Sequence, residues 1–134
     1  MTANIQKLTA SDFARGIILG LISRGVWRFY SLERPWGHRA AETVYNLIRD
    51  NYSDVFDLDF CIFLHEIHGT SDTWYSAVGS LISSTVLVRS TDGSYIAKIP
   101  RDHVSEWVET IPGDLAFWQG MAIAYRDYCP HCID

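Results

Sequence analysis

The chain has 134 residues, of which 48% are hydrophobic, 13% aromatic and 20% charged, with a net charge of -5. That is the length of one domain, residues 1–134, and the composition of a folded core rather than of a disordered segment. The acidic total disfavours general binding to a nucleic-acid backbone, and the longest apolar run, residues 16–22, is far short of the ~20 residues that cross a membrane.

Thr9 or Ser11 can cap a first helix, expected to run to about Arg28. Phe13, Ile17 and Leu21 repeat at four, and Ala14, Ile18, Ile22 and Phe29 widen the stripe. Gly16, Gly20 and Ser23 form a strip of small residues that lets another helix come close. Residues 34–37, Arg-Pro-Trp-Gly, break the pattern, and a second helix from His38 to about Asn51 buries Ala41, Val44, Tyr45 and Ile48. Residues 60–64, Phe-Cys-Ile-Phe-Leu, suit a strand buried on both faces, bounded by Asp residues and Gly69.

Ser71 or Asp72 can cap a third helix through Trp74, Val78, Leu81 and Ile82. Two β-branched runs within residues 85–99 flank Thr91-Asp92-Gly93, which reads as a β-hairpin with Gly93 at positive φ. Asp102 caps a short helix carrying Val104, Trp107 and Val108, which Pro112-Gly113 stops. Asp114 caps a last helix that is apolar on more than one side and is therefore expected to be central or pressed into an interface. The expected fold is α+β: five helices around a small sheet built on one hairpin plus a buried strand.

Charge is unevenly placed. Residues 1–49 hold seven basic against three acidic groups, and residues 50–134 hold four against thirteen. Nine of the eleven basic residues are Arg, the cation suited to bidentate anion contacts and to stacking on rings. Residues 24–39 interleave Arg24, Arg28, Arg34 and Arg39 with Trp27, Phe29, Tyr30 and Trp36. Guanidinium groups and ring faces together hold nucleotides, single strands or acidic protein surfaces. The candidate binding residues are Arg24, Trp27, Arg28, Arg34, Trp36 and Arg39. The bland alternative is that these arginines lay their stems on the core and pair with the acidic second half.

Cys61, Cys129 and Cys132 are too few for a disulfide framework. Asp12 ahead of the apolar run, with no small-x-small site after it, argues against a signal peptide, so a reduced, cytoplasmic setting is expected. Cys129-Pro130-His131-Cys132 has the spacing of a redox dithiol, but only two residues follow it, and the helix that would lower the thiol pKa has no room. The same pair has zinc-knuckle spacing. With His65 and Cys61, which share one face of the expected strand, Cys129 and Cys132 would complete a tetrahedral site. Phosphate-loop, dinucleotide and His-Glu-x-x-His patterns are absent.

Size, acidity and aromatic richness give the profile of bacterial immunity proteins and phage inhibitors of host defence, which is an analogy of class. The reading favoured is a non-catalytic protein that blocks or sequesters a protein partner and forms a homodimer. The alternatives are a ligand-binding or enzymatic domain for a phosphate-bearing small molecule on residues 24–39, and a zinc-stabilised interaction module.

Overall fold

The computed structural model describes residues 5–30 and 32–128. The fold is α+β. The elements are β1 (Gln6–Leu8), α1 (Ala10–Ser23), β2 (Arg28–Phe29), α2 (Pro35–Asn51), β3 (Phe56–Leu58), α3 (Asp72–Ser83), β4 (Leu87–Arg89), β5 (Tyr95–Ala97), a 3₁₀ turn (Arg101–His103), α4 (Val104–Val108) and α5 (Leu115–Tyr128). Strands β1 and β3 form a parallel pair, and β2, β5 and β4 form an antiparallel sheet in that order.

Helix α1, rather than the last helix, is the centre of the molecule. Every residue from Gly16 to Ile22 is buried, together with Phe13 and Ala14. Helices α5, α3 and α4 cover it, and α2 packs on α5. Each fully buried Phe, Ile or Leu here contributes about 2 kcal/mol of transfer free energy. The small strip does what its composition implies: a Cβ on Gly16 would overlap the Trp118 ring, and one on Gly20 would overlap the Trp118 main-chain oxygen. The neighbour that exploits the strip is thus α5 of the same chain. A second copy of the chain is therefore not needed to cover the strip. Helix α5 itself buries Trp118, Met121, Ala122 and Tyr125 and leaves Ile123 and Tyr128 exposed.

Helix ends follow local chemistry closely. The Thr9 hydroxyl accepts from Asp12 N–H (3.2 Å), Ser71 from Trp74 N–H (3.3 Å) and Asp114 from Phe117 N–H (2.8 Å). The first helix stops at Ser23 instead of continuing to Arg28, because Gly25 takes φ +95° and its N–H bonds Ile22 C=O (2.9 Å). Val26 N–H then bonds Leu21 C=O (3.0 Å), completing a glycine-terminated helix end. Helix α2 starts three residues earlier than expected, since Pro35 at its first position needs no N–H partner there. Asp102 caps nothing: α4 begins after a 3₁₀ turn and without a side-chain cap.

The hairpin forms, with Gly93 at φ +88° and Asp92 accepting from Ser94 N–H (3.0 Å) and Oγ–H (2.6 Å). Its partner in the sheet is β2, not a strand over residues 60–64. That expected strand is corrected: the strand ends at Leu58, and Asp59 N–H to Leu8 C=O (3.0 Å) closes the parallel pair. Residues 60–64 instead run beside the helices. Phe60 packs 5.2 Å from the Phe13 ring and 5.3 Å from the Tyr45 ring, and Ile62 is buried, while Cys61 and Phe63 face solvent. A continuous apolar run was present without a strand to pair with.

Candidate functional site: a basic hollow around Trp27

Because α1 ends at Ser23, Arg24 and Arg28 leave the helix. Arg24 becomes its C-cap, a position where a cation complements the negative end of the helix dipole, and Arg28 enters β2 opposite Ile96. Between them the chain turns at Gly25, buries Val26 and presents Trp27, which stays 52% exposed. The Arg28 guanidinium stands 5.0 Å from the Trp27 ring centroid and donates to Tyr30 Oη at 3.4 Å. Trp27 is held from the other side by its own carbonyl, which accepts from Ala97 N–H (2.9 Å).

That bond brings the end of β5 alongside. The result is a hollow of about 420 Å³ whose lining includes Ile22, Val26, Trp27, Ile99, Lys98 and Arg101. No acidic residue lines it among the described residues. Arg24, Lys98 and Arg101 are exposed and form no ion pair among the described residues. Arg101 Nε–H donates to Ser23 C=O (2.9 Å), tying the segment after β5 to the end of α1. Lys98 and Arg101 thus line the hollow beside one half-exposed indole, on whose ring Arg28 stacks, in a chain of net charge -5. Lys98 and Arg101 are distant in sequence from residues 24–28; the only signal for them was that they hold two of the four positive charges in the acidic second half.

The remaining candidates lie elsewhere. Arg34 is the N-cap of α2, with Trp36 (55% exposed) and Arg39 following on exposed positions of that helix. Arg34 lines a second cleft, about 400 Å³, with Glu33, Tyr75, Arg89 and Tyr95. There Tyr95 Oη–H donates to Glu33 Oε2 (2.6 Å), and Arg89 Nη2 donates to Tyr95 Oη (2.7 Å) and reaches Glu33 Oε2 at 3.4 Å. Burial and the bond to Glu33 push the Tyr95 phenol up, and its bond to Arg89 helps keep that guanidinium protonated. The cleft's charges largely answer one another, whereas Lys98 and Arg101 form no ion pair among the described residues.

Loop 32–34 is fixed from beneath by buried bonds. Trp74 Nε1–H donates to Leu32 C=O (2.9 Å), Ser71 N–H donates to His38 Nδ1 (2.9 Å), and His38 Nε2–H faces Glu33 C=O (3.1 Å). Those partners demand the neutral Nε2–H tautomer. Burial pushes the His38 pKa down from the ordinary histidine value, against the opposing pull of Glu33 and Asp72.

For the metal candidates, Cys129 and Cys132 lie outside the described residues. Cys61 and His65 are both exposed, but not as neighbours on one strand face, since that strand does not exist. No group of three His, Cys, Asp or Glu side chains gathers for a metal among the described residues. No helix among them is long and apolar enough to cross a membrane. No family model, curated protein or solved structure matches the chain.

Proposed function

We propose that this chain is a non-catalytic binding protein that engages an acidic protein partner through the Trp27 face. The observation that carries the reading is a half-exposed Trp27, stacked under Arg28, beside a hollow whose lining holds Lys98 and Arg101 and no acidic residue among the described residues. Leaving a large ring half in water does little for the folded chain, whereas Trp and Arg are the residues that dominate binding energy at protein interfaces. The positive face also steers an acidic partner toward a molecule whose total charge would otherwise repel it.

The test uses the full chain as bait in an extract of its own cells, with the Lys98→Glu/Arg101→Glu double variant as control. A protein retained by the wild type at low salt, and lost both from the variant and at high salt, supports the reading. Equal retention by the two baits overturns it. Native mass spectrometry of the same preparations reports the rival outcomes directly, a co-purified phosphate compound or a bound zinc ion.

A further inference from the structure

We infer that the hollow beside Trp27 receives one apolar side chain from an acidic, linear segment of the partner, with flanking carboxylates on Lys98 and Arg101. The inference rests on the binding-protein reading above and adds the chemistry of what is bound. Three features of the hollow lead to it.

First, its wall is apolar. Ile22, Val26, Ala97, Ile99 and Pro100 line it beside the indole face, so an occupant gains by losing water rather than by hydrogen bonding. Second, its charge is of one sign: Lys98 and Arg101, three positions apart after β5, are the charged residues of the lining among the described residues. Two cations at separate positions match carboxylates spaced along a chain better than one concentrated dianion. Third, the C-terminal end of α1 borders the hollow through Ile22 and Gly25, and this end of a helix carries partial negative charge. One Arg101 donor is already turned to the Ser23 carbonyl there. A phosphate pressed into the hollow would meet the repulsive end of the dipole, the opposite of a helix-terminus phosphate site. An aliphatic side chain meets no such field, and its neighbouring carboxylates reach the cations outside it.

The inference is tested on the full chain by following the indole N–H resonance of Trp27, assigned with Trp27→Phe. The probes are a short synthetic peptide with a single leucine set among glutamates and aspartates, the same peptide with alanine for leucine, inorganic phosphate, and a single-stranded thymidine oligonucleotide. The expected result is a saturable, salt-sensitive shift with the leucine peptide. Affinity should fall about tenfold with the alanine peptide, and about tenfold again for Lys98→Glu/Arg101→Glu. No shift with the leucine peptide, or equal binding of the alanine peptide, overturns the inference. So does a shift produced by phosphate or the oligonucleotide but not by the peptide. If the wild-type bait captures a charge-dependent partner while both peptides are silent, this inference fails and the binding-protein reading stands.

Discussion

Two tryptophans show how neighbours assign a side chain its role. Trp118 is fully buried, its ring set against the small strip of α1 and its Nε1–H bonded to Pro112 C=O (2.8 Å). Trp27 stands half in solvent under an arginine, above a hollow. The first is enclosed by glycines that remove every atom in its way, and its energy goes into the fold. The second is half exposed beside the Arg28 guanidinium, at a hollow whose lining holds Lys98 and Arg101 and no acidic residue among the described residues. Mutations that separate stability from binding should therefore divide along this line.

The largest expected loss is at the Trp118 contact. Trp118→Ala should cost about 4 kcal/mol through lost transfer energy and the cavity left behind. Gly20→Ala should cost about 3 kcal/mol, because the added methyl meets the Trp118 carbonyl, which cannot turn aside as a side chain would. Denaturant melts measure both. A Gly20→Ala protein as stable as the wild type would show that α1 and α5 are not in close contact.

His38 comes next, since it joins α2, the start of α3 and loop 32–34 through a buried ring. His38→Ala strands the Ser71 N–H and Glu33 C=O and should cost about 2 kcal/mol. The wild type also acquires a pH dependence. The folded pKa lies below the unfolded value, so between the two the unfolded chain holds more protons and stability rises with pH. The His38 contribution is complete above the unfolded value of about 6.5 and is lost progressively as pH falls toward the lowered folded value. Thermal melts between about pH 7.5 and 5.5 should show this slope in the wild type and a flatter one in His38→Gln. Equal slopes would refute the neutral-histidine link.

At the hairpin turn, Gly93→Val forces a β-branched residue to φ +88° and should cost about 1 kcal/mol. Unchanged melting would mean that the turn adopts another geometry.

The smallest effects belong to the Trp27 face and to Arg34. Arg34→Glu, Lys98→Glu and Arg101→Glu alter exposed groups and should each change stability by no more than about 0.5 kcal/mol. Arg28→Glu should cost more than these, because Arg28 is half-buried and stacked on Trp27. Thermal melts of the four variants rank them. Losses near those at Trp118 would place the cationic face with the core instead of with a binding surface.

Much of the local structure was legible in the chain. Thr9, Ser71 and Asp114 are caps that need only the next three residues, Gly93 needs only its own freedom at positive φ, and the Gly16/Gly20 strip announces a close helix neighbour. Such features are decided within one turn of backbone, where sequence neighbours are also spatial neighbours. The site was half legible. Arg24, Trp27 and Arg28 share a short stretch, but Lys98 and Arg101 join them only because Ala97 bonds back to Trp27 and Arg101 to Ser23.

Tertiary structure decided the rest. The two- and three-residue strands β1, β2 and β3 are too short to carry a period and exist only through partners far along the chain. Residues 60–64 carry the continuous apolar run of a buried strand but meet helices and rings in place of a free edge, so they form none. By itself the sequence determined caps, turns, apolar stripes and the balance of charge. Which helix lies at the centre, which strands pair and which cations share one hollow depend on contacts between distant residues, whose partners no local pattern can name.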